Sequence, residues 1–233
     1  MRFCVFIVVF WSIFCTVTAH CRKPAVFLQK PCTEQKDDYS ISMADLTVTV
    51  SRNGGRITSF QRAGKEMLIR NNIHPLYYGG TLWISPQSEN WPASVEIDRA
   101  PYDIDVCGDT LSMTSKPDKK TGLMVHKEFC FSIPDTSLQL VYTIINTSAD
   151  TIWLSPWDVL RTPPGISFFP AGENSGVNHL GIDSSYMKDG VVWCPTYSLQ
   201  PEKGQKLFHT AKYGWLAHYA NGLLLVKDFP DIT

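Results

Sequence analysis

The chain reads as an all-β sandwich built mainly from antiparallel strands, and three observations carry that class. Short β-branched or alternating apolar runs recur along it, and turns rich in Gly, Asn, Asp and Pro separate them. No window of about 15 residues beyond the N-terminus holds a helical period free of Gly and Pro. The 233 residues are 44% hydrophobic and 18% charged, enough apolar material for one packed domain.

The elements follow in order. Residues 46–50 (LTVTV) alternate and are stopped by Ser51-Arg52-Asn53-Gly54-Gly55, whose residues tolerate positive φ. A strand resumes over 56–61, and the turn 62–65 leads into another over 66–70. Residues 81–84 (TLWI) form a short apolar strand that breaks at Ser85-Pro86. Strands over 111–115 and 122–133 flank the charged turn 116–120. Those over 137–146 and 152–161 flank Thr147-Ser148-Ala149-Asp150. Pro163-Pro164-Gly165 interrupts the chain before 166–169, and 191–193, 213–219 and 223–229 complete the set. Without repeat, low-complexity stretch or linker, residues 40–233 read as a single β-sandwich domain after an extension at 20–39.

The N-terminus carries a targeting pattern. Arg2 precedes an apolar run over 3–14, and Val17-Thr18-Ala19 is a small-residue cleavage site, so residues 1–19 read as a secretory signal peptide. The expected location is therefore periplasmic or secreted. Lipid anchoring at Cys21 is the weaker alternative, because His20 stands where such a site takes a small residue. Removal of the signal would leave Cys21, Cys32, Cys107, Cys130 and Cys194, an odd number. Cys21 and Cys32 can close a short loop, and Cys130 reads equally well as a buried free thiol. A net charge of −1 without a basic stripe argues against a nucleic-acid partner. No Cys/His spacing implies a metal, and no cofactor fingerprint occurs.

The stretch most suggestive of function is YGGTLWISPQSENWP, residues 78–92. Trp83 and Trp91 bracket Gln87, Glu89 and Asn90. Indole faces cover the C–H face of a pyranose, and planar polar groups hydrogen-bond its hydroxyls. The competing reading is a pair of core tryptophans flanking a polar turn. Glu89 is the first candidate for acid/base chemistry or hydroxyl binding. Asp158 is the second, beside Trp157, with Arg161 three residues on. Two such carboxylates facing each other across a cleft, Glu173 being a third, would permit glycoside hydrolysis. His74 can reach the Trp83 cleft from the preceding loop, and His179 lies in a loop dense in hydrogen-bonding groups. His126 and His218 fit half-buried strand positions, while Asp98 and Arg99 read as a surface pair.

These segments carry a resemblance. LTVTVSRNGGRITSFQRAGKEML, YYGGTLWISPQSENWP and LQLVYTIINTSADTIWLSPWDVLRTPPG are similar to the galactose mutarotase-like supersandwich, in an exported bacterial branch. The resemblance covers roughly residues 40–230 and implies a carbohydrate ligand, although a fold does not fix a function. In the epimerases of this fold, a His follows the turn corresponding to 146–150, and a Glu comes from a strand near the C-terminus. Here Trp157, Asp158 and Arg161 occupy the first neighbourhood, and the chain ends at Asp231-Ile232-Thr233 before the second. Both departures weigh against ordinary mutarotation, which needs an acid at the ring oxygen and a base at the anomeric hydroxyl. They also imply a supersandwich incomplete at its C-terminal end, whose open edge could pair with a second copy.

The expectation is an exported, non-catalytic carbohydrate-binding domain, with Trp83, Gln87, Glu89, Trp91, Trp157, Arg161, His74 and His179 as ligand contacts. Two alternatives stand beside it. One is an aldose 1-epimerase-like isomerase using unconventional residues, and the other is a structural or assembly component.

Overall fold

The computed structural model describes residues 26–29, 37–132, 136–172, 178–180, 185–197, 206–208 and 210–230. The chain divides into two compact units, 1–161 and 162–233.

The first unit is a two-layer β-sandwich. One sheet contains β1 (Val26–Gln29), β2 (Asp38–Met43), β3 (Leu46–Ser51), β4 (Arg56–Arg62), β5 (Lys65–Glu66), β6 (Gly80–Ser85) and β11 (Ser155–Leu160). Its order is β1-β2-β3-β4-β6-β11, with β5 paired to β4. The other contains β7 (Asp103–Cys107), β8 (Thr110–Thr114), β9 (Leu123–Ser132) and β10 (Ser137–Asn146), in the order β10-β9-β8-β7. Every pairing in both sheets is antiparallel, as expected.

Strict alternation sorts the side chains of these strands between core and surface. Leu82 and Ile84 of β6 pack with Leu123 and Val125 of β9, joined by Ile97. Tyr142, Ile144, Ile152 and Leu154 close around that cluster. The same alternation drives a lysine inward. Lys127 shares the core face of β9 with Val125 and Phe129 and is fully buried. Its ammonium donates to the carbonyls of Gly54 at 2.7 Å and Gly55 at 3.2 Å. It also lies over the rings of Tyr102 and Tyr142.

The β3–β4 turn therefore has a structural load on two sides. Gly54 has φ +73°, and a Cβ there would fall 2.0 Å from the Asp98 carbonyl oxygen, so only glycine fits. Gly54 N–H donates to Ala100 O and Tyr102 N–H to Arg52 O. This latch brings the helical turn Val95–Asp98 beside Arg56 at the start of β4.

In the second unit, β12 (Gly165–Pro170), β14 (Tyr186–Lys188), β15 (Val191–Thr196), β17 (Trp215–Ala220) and β18 (Leu223–Asp228) form an antiparallel sheet. Its order is β14-β15-β12-β17-β18, and β13 (Asn178–Leu180) pairs separately with β16 (Lys206–Phe208). Cross-strand stacking supports the sheet, with Trp193 over Phe168 at 4.7 Å and Tyr186 over Trp193 at 6.4 Å. His218 is buried, bonded to Ser167 Oγ at 2.9 Å and the Pro163 carbonyl at 3.0 Å. Burial lowers its pKa, and the Pro163 bond opposes that only in part.

Most predicted strands are present. The run over 66–70 pairs only as far as Glu66, and the run over 152–161 pairs only over Ser155–Leu160. Strands over Asp38–Met43, Asp103–Cys107 and Tyr186–Lys188 were not anticipated. Cys107, Cys130 and Cys194 are free thiols, and burial raises the pKa of Cys130 and Cys194. The signal peptide, Cys21, Cys32, Glu173 and the side chain of His179 lie outside the described residues. Among the described residues, no helix is long and apolar enough to cross a membrane.

Candidate functional site

The predicted Trp-rich stretch builds one side of the β6–β11 pair. Register sets Trp83 directly opposite Trp157 and Leu82 opposite Asp158. Since neighbouring residues on a strand face opposite ways, Trp83 and Trp157 share the outer face while Leu82 and Asp158 share the other. The two indoles meet edge to face at 5.3 Å. Beyond Ser85 the chain forms the helical turn Gln87–Asn90, which returns Trp91 against Trp83 at 5.0 Å. Three indoles thus form one aromatic body, with a gradient of exposure. Trp83 is its floor at 8% exposed, and Trp91 is its rim at 42%.

Trp83 is held by its nitrogen. Its indole N–H donates to Asp98 Oδ1 at 2.8 Å. Arg56 Nη2 donates to the same oxygen at 2.9 Å, and Thr81 Oγ1 approaches it at 3.4 Å. Asp98 is therefore not half of a surface pair with Arg99. It folds inward because the latched β3–β4 turn carries its helical turn over Arg56, which is 4% exposed.

Arg56 also reaches the loop before β6. Its Nη1 donates to the carbonyls of Tyr78 at 3.0 Å and Leu76 at 3.4 Å, with the guanidinium over the Tyr78 ring. His74 shapes that loop from within. Its Nδ1 accepts the backbone N–H groups of Tyr77 at 2.9 Å and Leu76 at 3.1 Å, and its ring packs on Tyr77 at 4.7 Å. His74, expected as a ligand contact, also supports Tyr77.

Arg161 completes the site. Its backbone bridges Ile69 N–H and Gly79 O, fixing it at the end of β11. The guanidinium lies 4.8 Å from the Trp83 ring centroid and 5.4 Å from that of Tyr77. Its Nη1 is buried yet has no hydrogen-bond partner among the described residues. Burial, with the nearby Arg56 cation, lowers the Arg161 pKa to about 10, against the pull of Asp98 and Tyr77.

The two carboxylates predicted as candidates stand apart from this cluster in different ways. Glu89 is solvent-exposed on the helical turn 87–90. Asp158 sits on the opposite face of β11 from Trp157 and accepts the Tyr142 hydroxyl at 3.3 Å. Gln87 is half-buried on the same turn as Glu89. Among the described residues, no group of three or more His, Cys, Asp and Glu is arranged to hold a metal.

Sequence reasoning passed over two contributors, Asp98 and Arg56, and a nearby exposed residue, Trp153. Asp98 and Arg56 carry no local motif, since their partnership depends on the long-range latch. Trp153 had a signal, because Trp153 and Trp157 lie four apart in one strand-like run and so share a parity. Trp153 stands 84% exposed in the loop entering β11, at the end where β6 leaves into the helical turn.

No protein-family model matches the sequence, and no curated protein does. Among solved structures the chain is similar to that of a candidate aldose 1-epimerase from Escherichia coli K12. That likeness has 12% identity and a TM-score of 0.43, over 79% of this chain and 73% of that chain.

Proposed function

We propose that this chain is an exported carbohydrate-binding domain on a galactose mutarotase-like scaffold, which binds its sugar without turning it over. The observation that supports it best is the graded aromatic body of Trp83, Trp157 and Trp91, capped by the Arg161 guanidinium. A pyranose offers an apolar C–H face and a rim of hydroxyls. Exposed Trp91 and Tyr77 present rings to the first, and the buried, unpartnered Arg161 Nη1 beside Tyr77 is a donor that the second can satisfy. Rings anchored from behind lose little freedom on binding, which favours recognition.

The disposition of the carboxylates supports binding over catalysis. Asp98, the acid inside the cluster, is committed to Arg56 and Trp83. Glu89 and Asp158 are directed to solvent and to Tyr142. An acid/base pair must flank the reacting atoms within hydrogen-bond reach, and these three groups do not form one on the Trp face. Export rests on the pattern of residues 1–19.

The test is a titration of intrinsic tryptophan fluorescence with neutral and acidic monosaccharides, alongside NMR of anomer exchange. A saturable shift with unchanged exchange supports the reading. Faster exchange would make the chain an epimerase, and no response to any sugar would overturn carbohydrate binding.

A further inference from the structure

We propose that the sugar recognised at this site is anionic, bearing a carboxylate or a phosphate ester that Arg161 receives. The inference rests on the carbohydrate-binding reading above and specifies its ligand class. Three observations carry it.

The first is the unpartnered donor. Arg161 Nη1 is shut away from solvent without an acceptor among the described residues. Burying such a donor is unfavourable unless something else compensates, and an acceptor oxygen brought by a ligand is one such compensation. Ring faces are partial compensation. Trp83 and Tyr77 offer their π clouds to the guanidinium, but these act on its flat face. Its N–H bonds point outward in the guanidinium plane, where only an acceptor oxygen satisfies them.

The second is local charge. Arg56 is close enough to disfavour the charge on Arg161, and Asp98 is the carboxylate set against it. Oδ1 of Asp98 already receives Arg56, Trp83 and Thr81. Of the charged side chains that act on Arg161, the two guanidiniums are set against Asp98 alone, a local excess of one positive charge. A neutral sugar would leave that excess in place, whereas an anionic one removes it. Arginine is also suited to carboxylate and phosphate oxygens, which its fork engages two at a time.

The third is a means of access. Tyr77 packs beside Arg161 from an exposed loop, at 43% exposure. A shift of that exposed ring alone, with the loop backbone still held by His74 and Arg56, would open one side of the guanidinium, and Trp83 is held independently by Asp98. The anionic group then meets Arg161 while the sugar ring lies on Trp91.

The experiment compares glucuronate and galacturonate with glucose and galactose, adding glucose 6-phosphate and inorganic phosphate, in wild type and Arg161→Gln. The expected result is at least tenfold tighter binding of an acidic sugar than of its neutral parent. That preference, read as the ratio of acidic to neutral affinity within each protein, should weaken with added salt and fall to one in Arg161→Gln, whatever the variant's absolute affinity. Preference for the uronates or for the phosphate ester identifies which anion the site takes. Equal affinity for acidic and neutral sugars, unchanged in Arg161→Gln, would overturn the inference and leave carbohydrate binding standing. Inorganic phosphate binding as tightly as the sugar phosphate would also overturn it, as an adventitious ion only. Silence toward every sugar would instead overturn the underlying reading. Should Arg161→Gln misfold by near-UV circular dichroism, Arg161→Lys serves. It keeps the charge and loses the fork, so the acidic preference should fall but not disappear.

Discussion

Trp83 and Asp98 are joined by a 2.8 Å hydrogen bond that links the aromatic body to the ion pair beneath it. The carboxylate oxygen that accepts the indole N–H also accepts Arg56 at 2.9 Å. Arg56 in turn holds the loop carrying Tyr77 through the Tyr78 and Leu76 carbonyls. One carboxylate oxygen therefore sets the floor of the site and, through one arginine, one of its walls.

Asp98→Ala should accordingly be among the most damaging polar substitutions in the chain. It leaves a nearly fully buried guanidinium without its counter-charge and an indole N–H without an acceptor. The expected loss is about 3–5 kcal/mol in urea unfolding. Asp98→Asn keeps an acceptor for Trp83 and should cost less. Asp45→Ala, which breaks the exposed Arg62–Asp45 pair, should cost less than about 1 kcal/mol. Similar losses for Asp98→Ala and Asp45→Ala would contradict the role assigned to Asp98.

The tryptophans should separate by burial. Trp83→Ala removes the floor and should cost about 3–5 kcal/mol, so lost binding would be indirect. Trp91→Ala should abolish most sugar binding with a smaller stability change. Trp153→Ala touches a side chain in the open and should leave stability within about 0.5 kcal/mol. Any drop in sugar affinity there would place Trp153 on the ligand path, and unchanged affinity would remove it.

Gly54→Ala tests the latch. The added Cβ meets the Asp98 carbonyl at 2.0 Å, in a backbone conformation that alanine resists. The expected cost is at least about 2 kcal/mol, with a shift of Trp83 emission as Asp98 is pushed away. Gly108→Ala is the control. It also has positive φ but opens on free space, so it should cost only about 1 kcal/mol and leave Trp83 emission unchanged.

How much of this was visible in the sequence varies by element. The strands Leu46–Ser51 and Ser137–Asn146 were legible because β-branched alternation and the Asn53-Gly54-Gly55 turn are local signals. Asp103–Cys107 alternates equally well, but acidic residues on its outer face masked a short edge strand. Trp83, Trp91, Trp157 and Arg161, all expected as ligand contacts, lie together because one strand pair and one turn unite them. What sequence could not supply was depth. Trp83 is floor and Trp91 rim because a helical turn fifteen residues beyond Trp83 folds Asp98 under it, and only tertiary contacts decide that. Lys127 is the reverse case. The run Leu123, Val125, Lys127, Phe129, Phe131 puts the lysine on an apolar face, and that local alternation accounts for its burial, although the sequence reading of this strand singled out only His126 and Cys130.

That lysine gives the chain a distinctive dependence on pH. Burial, then Arg56, lowers the Lys127 pKa to about 7, against the pull of Asp98 and Asp158, from an unfolded value of 10.5. Between those two values the unfolded chain binds a proton that the folded chain does not. Stability must therefore rise with pH from about 7 upward. His218, also depressed by burial, makes a contribution of the same sign that is complete by about pH 6.5. Above about pH 8.5 the raised Cys130, Cys194, Tyr102 and Tyr142 groups act in the opposite sense, because the unfolded chain loses protons that the folded chain keeps. The Lys127 effect is thus isolated between pH 7 and 8.5, where urea unfolding should show a gain of roughly 1–2 kcal/mol. Lys127→Met keeps the length and removes the charge, and should flatten that rise. Its carbonyl partners at Gly54 and Gly55 lose their donor, so the variant also reports what the clamp contributes at pH 8.5. A flat wild-type profile, or a slope that survives in Lys127→Met, would show that Lys127 enters the core still charged.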